Sequence, residues 1–188
     1  MSLAAAAAAL CAAGNGSVLS GWDVSLVEDF SGWFAGAAGE CPPAGVSCWD
    51  VGAGTDFSGM FADARAFNGD LSHWEMAGAR NTSRMFFGAA AFDADLSGWD
   101  VSGVADMSDM FVGAAAFRGN LAPWDVCGTE WTYQNAMQGS QARLPPSCVQ
   151  APLFALLGAF AAFSCVWAFA ALLGRAAGAL CRRKRVEL

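Results

Sequence analysis

Five tryptophans are each followed by an acid: Trp22-Asp23, Trp49-Asp50, Trp74-Glu75, Trp99-Asp100 and Trp124-Asp125. Carboxylates gathered in this way bind calcium or a basic partner. If their segments lie side by side, about 4.8 Å apart, Asp23, Asp50, Glu75, Asp100 and Asp125 form a file of like charges. Such a file needs relief from cations, backbone donors or a basic ligand. Two readings stand open: a calcium or basic-ligand face, and a solvated row with turn hydrogen bonds, screened at physiological salt. The cysteines offer other chemistry. Cys41 and Cys48 flank Pro42-Pro43 and can close on each other. Cys127 and Cys148 bracket a stretch in which a bridge would staple a cap over the end of a core. Zinc held by all four thiolates is the alternative, although these spacings are not those of common zinc motifs. Asn81-Thr82-Ser83 and Asn15-Gly16-Ser17 are glycosylation sequons. Cys181, beside Arg182-Arg183-Lys184-Arg185, is a candidate for S-acylation.

Catalysis has little to work with. The chain holds one His, His73, and one Tyr. It shows no Ser/His/Asp set, no phosphate loop and no metal-protease helix, so it reads as a non-enzyme without a cofactor. Residues 1–150 carry 16 Asp/Glu against five Arg, a net of −11. A body of that sign repels phosphate backbones and disfavours nucleic acid.

The Trp-acid pairs recur at spacings of 27, 25, 25 and 25 residues, and the rest of the unit recurs with them. Within one unit the apolar positions are Leu96, Trp99, Val101, Val104, Met107, Met110, Phe111, Ala114 and Phe117. Trp99 and Val101 alternate at period two, as in a short half-buried strand. The later positions step by three or four, as on a helical turn. Asp106 or Ser108 would cap that helix, as would Asp56/Ser58 and Asn81/Ser83 in other units. The expected fold class is therefore α/β: a short leucine-rich-repeat-type solenoid of 25-residue repeats, strand plus short helix per coil, followed by one transmembrane helix. Stacking would bury Trp22, Trp49, Trp74, Trp99 and Trp124 with the pairs Met60-Phe61, Met85-Phe86 and Met110-Phe111 as columns of one core.

The unit W-D-V-S-x-V-x-D-M-S-x-M-F-x-G-A-x-x-F resembles the repeat of the BspA-like leucine-rich-repeat surface proteins, an array also catalogued as a domain of unknown function in surface lipoproteins. The resemblance covers about Asn15 to Val126. It implies an extracellular solenoid used in adhesion or recognition, with no enzymatic activity attached. The chain departs from that pattern where Cys41 to Cys48 replace the expected end of the first unit. It departs again after Val126, in Trp131-Thr132-Tyr133.

Five segments follow. Residues 1–14 read as a secretory signal or a degenerate half-repeat, since Leu19-Ser20-Gly21-Trp22 matches Leu96-Ser97-Gly98-Trp99. Residues 15–126 form the repeat array, and 127–150 a degenerate cap and linker. Residues 151–174 lack any charge, and as a helix they would span about 36 Å, enough to cross a bilayer. The tail 175–188 carries five basic residues against Glu187, which places it in the cytoplasm and the repeat body outside a plasma membrane. The expected function is surface adhesion or recognition of a protein or glycan; the alternative is a structural or degenerate fragment of a longer array without its own ligand.

Overall fold

The structure, a computed structural model, describes residues 3–12, 16–37, 45–126 and 136–142. All lie in one compact unit, Met1–Val149. Its building block is five residues long. In Asp95-Leu96-Ser97-Gly98-Trp99 the Asp95 carboxylate accepts the Ser97 N–H at 2.9 Å, and the Trp99 N–H closes a turn on the Leu96 carbonyl at 3.1 Å. An acid at the head of a turn stabilises it by holding the backbone two residues on, while the apolar residues at either end of the turn point inward. Asp100 does the same for Val101–Val104, and Asp106 for Met107–Met110. Each coil is therefore bent at successive Asp- or Asn-headed corners.

After the corner at Asn81 the chain makes three overlapping turns. Met85 bonds back to Thr82, Phe87 to Arg84 and Ala89 to Phe86, at 3.1–3.2 Å. The first and third carry a left-handed residue in third place, Arg84 (φ 56) and Gly88 (φ 67), as type II turns require. The alternate N–H groups, of Thr82, Arg84, Phe86 and Gly88, donate to Asp106, Ser108, Met110 and Val112 in the next coil at 2.7–2.9 Å. Every N–H from 82 to 89 is thus used, half within the coil and half between coils. The same weave joins 30–37 to 56–62 and 57–64 to 81–87.

The interior consists of aromatic files. Phe34, Phe61, Phe86 and Phe111 stack at 5.4, 5.7 and 5.6 Å between centroids. Phe67, Phe92 and Phe117 form a second file, each ring close against the first. Trp74, Trp99 and Trp124 stack nearly parallel at 6.4 and 6.3 Å. Each such contact adds about 0.5–1.5 kcal/mol beyond burial. The indole N–H groups also tie coils together. Trp49, Trp74, Trp99 and Trp124 donate to the carbonyls of Leu19, Val46, Leu71 and Leu96 at 2.8–3.0 Å. Met60, Met85 and Met110 are buried with these rings, whereas Trp22 is half-buried.

These observations correct the expected fold. Among the described residues the repeats hold no strand and no helix, only the isolated parallel bridges Asp29↔Asp56, Asp56↔Asn81 and Asn81↔Asp106. The leucine-rich-repeat-type solenoid with a strand and a helix in each coil is therefore overturned. The physical reason is the left-handed residue at every fourth position of the weave, Gly32/Gly36, Gly59/Asp63, Arg84/Gly88 and Asp109/Gly113, which curls the backbone out of both conformations. Asp56/Ser58, Asn81/Ser83 and Asp106/Ser108 head turns and cap no helix. The expected transmembrane helix also finds no place in the described fold: among the described residues no helix is long and apolar enough to cross a membrane, and 151–174 lies outside them. The tail 175–188 lies outside them too.

Two short elements precede the coils: α1, Leu3–Ala12, and a 3-10 helix, Gly16–Gly21. Alanine is the strongest helix former, which suits α1 to its sequence. Ala7 and Leu19 are buried in the core, and Leu19 accepts the Trp49 indole as Leu96 accepts that of Trp124.

Candidate recognition surface

The acids expected to form a ligand face are exposed, and their first task is structural. The carboxylates of Asp23, Asp50 and Asp100 accept the N–H of Ser25, Gly52 and Ser102 at 3.1, 3.3 and 3.1 Å. The hydroxyls of Ser25 and Ser102 donate to the same oxygens at 2.7 Å. Glu75, one methylene longer, places no such bond on the Met76–Ala79 turn among the described residues, and Asp125 is exposed. The serine hydroxyl and then the backbone N–H hold the Asp100 carboxyl below the usual carboxylate range. Among the described residues no group of three or more His, Cys, Asp or Glu is arranged to hold a metal ion.

Two further files run along the other corners, Asp29–Asp56–Asn81–Asp106 and Asp70–Asp95–Asn120, with the same turn-opening bonds. In the first, Asn81 is half-buried. Its Oδ1 accepts from Ser83, and its Nδ2 donates to Asp56 at 3.4 Å. The nitrogen that a glycan would join is this Nδ2, whose contact with Asp56 is at the long margin of a hydrogen bond. The second sequon residue, Asn15, lies outside the described residues, as do Cys41, Cys127 and Cys148. Cys48 is exposed and disulfide-bonded. The ring Nδ1 of exposed His73 lies 2.9 Å from the Ser72 hydroxyl.

What sequence reading missed is the outer face of the weave. Among the described coils the inward positions stay apolar apart from Thr82, and Phe34, Phe61, Phe86 and Phe111 are identical along one file. Outward positions do change. One file reads Gly32, Gly59, Arg84, Asp109 and the next Ala35, Ala62, Phe87, Val112. Arg84 and Phe87 are the first and last residues of one turn, which brings the guanidinium over the ring at 4.4 Å from its centroid. Phe87 and Val112 are half-buried neighbours in adjoining coils. The readable signal was the contrast between units at aligned positions, where two glycines give way to Arg84 and Asp109.

The family model for a Mycoplasma protein of unknown function, DUF285, matches residues 3–127. No curated protein and no solved structure matches the chain.

Proposed function

The chain belongs to that family of Mycoplasma proteins of unknown function, and from this starting point we propose that it is a non-enzymatic recognition protein which holds a protein or glycan partner against the outer faces of its coils, outside the cell. One observation carries this reading: side chains differ between coils at outward weave positions, while the phenylalanine file beneath them stays uniform. Uniform interiors serve stacking, and variation confined to one face is how a repeat body acquires a particular binding surface. The disulfide at Cys48 supports an oxidising, extracellular setting. Among the described residues the buried side chains of the coils are apolar apart from Thr82, as stacking requires. The test is a binding survey with the immobilised full chain against extracellular-matrix proteins and printed glycans. We expect a saturable partner whose binding is lost in Phe87→Ser and Val112→Ser chains of unchanged melting temperature. A survey without any saturable partner, or a partner indifferent to every outward substitution, would overturn the proposal.

A further inference from the structure

Arg84 occupies a costly position. Its φ of 56° is left-handed, where coils on one side place Gly32 and Gly59. An L-residue other than glycine is disfavoured there, because its Cβ crowds the following carbonyl oxygen. Within the stack only the Phe87 ring contact offsets that cost. The Arg84 backbone bonds, N–H to Ser108 and carbonyl from Phe87, are the ones glycine makes at Gly59 and Gly32. Among the described residues the side chain makes no hydrogen bond or ion pair; its partner is the face of Phe87. By contrast Arg80, four residues earlier, spends its guanidinium on the carbonyls of Ala77, Ala79 and Gly103, and Arg118 on that of Ala116. The Arg84 group is exposed, fixed by stacking, and keeps all its donors for something else. Backbone strain retained at an exposed side chain with unused donors is characteristic of binding positions.

Resting on the recognition reading above, we infer that Arg84, Phe87 and Val112 form a subsite for the free C-terminal carboxylate of a polypeptide that ends in an apolar residue. A stacked guanidinium presents a planar fork that matches a carboxylate through two parallel N–H···O bonds. The body's net charge of −11 and the adjacent Asp109 and Asp63 oppose phosphate, sulfated chains and other polyanions more strongly than a single carboxylate. The ring lies only 4.4 Å from the guanidinium carbon, so the apolar group of the ligand must sit next to its carboxylate. The last residue of a peptide has that form: its side chain would rest on Phe87 and Val112 while its carboxylate meets Arg84.

The experiment uses the full chain and a fluorescent short peptide ending in isoleucine, as the free acid and as the C-terminal amide. Anisotropy is expected to show saturable binding of the acid, with the amide weaker by about tenfold or more, as loss of a charge-assisted pair implies. Arg84→Lys keeps the charge but loses the fork, and should weaken the acid as much as amidation does. Asp109→Asn removes a competing carboxylate from the neighbouring coil and should tighten it. Arg84→Gly should abolish binding and raise the melting temperature, which a structural arginine would not do. Equal binding of acid and amide, indifference to Arg84→Lys, or no binding of either peptide overturns the inference. The broader recognition reading survives those results if the binding survey finds a partner sensitive to other outward changes.

Discussion

At position 75 a glutamate stands where Asp23, Asp50 and Asp100 open the same corner in other coils. Its longer side chain leaves the turn at Met76–Ala79 without the bond that an aspartate places on the backbone. Glu75→Asp should restore that bond and raise stability by about 0.5–1 kcal/mol, read as a higher denaturant midpoint at unchanged slope. A lower midpoint would show that the carboxylate does not govern the corner. Thr82 is the other local misfit. It is 1% exposed in the file where Phe57 precedes it and Met107 follows, and its hydroxyl reaches the Asp106 carbonyl only at 3.4 Å. Thr82→Met should fill that file and stabilise the protein by about 1 kcal/mol, measured the same way. Destabilisation would mean the long hydroxyl contact outweighs the buried area.

Among the coil elements, the indole-to-carbonyl bonds are the ties that backbone patterning alone does not supply. Trp99→Phe keeps a ring between Trp74 and Trp124 but removes the indole donor from the Leu71 carbonyl, which keeps only the Trp74 N–H. The expected cost is about 0.5–1.5 kcal/mol. Trp22→Phe should cost less, because that indole makes no such bond among the described residues; equal losses at both positions would refute the role of the tie. The repeat length, the buried tryptophans and the Met-Phe pairs were all legible in the sequence, because a strict period leaves few ways to hide large apolar side chains. The conformation between them was not. Apolar steps of three and four arise from a helix and equally from overlapping turns, as Thr82, Met85, Phe86 and Ala89 show. The distinguishing mark was the Gly or Asp at every fourth position of the weave, Arg84 excepted, together with Asp-apolar-Ser recurring at successive corners. The Arg84–Phe87 face was hidden for another reason. A search for what repeats passes over the positions where the units disagree.

For the whole molecule, the acidic balance follows from how the corners are made. The carboxyls of Asp29, Asp70 and Asp100 are held below the usual range by serine hydroxyls and then by backbone N–H groups. For Asp95 the Ser97 N–H leads. A carboxyl depressed in the folded state contributes stability that is fully present above its unfolded value, about 3.9, and is lost as pH falls through the lower folded values. The melting temperature should therefore hold steady from neutrality down to about pH 5 and fall steeply below about pH 4. A melting curve that is flat into that acid range would separate the corners from their charge. The ties between coils have a consequence for how such a chain changes length. Trp124 reaches Leu96 just as Trp99 reaches Leu71, so excising residues 74–98 would present Trp99 to Val46 in place of Trp74. That shortened chain should still unfold in one transition, whereas losing one residue fewer would throw every later file out of register. Whole-unit gain or loss is thus a change the architecture tolerates, and reach along the stack can be lengthened or trimmed by lineage without a new folding solution.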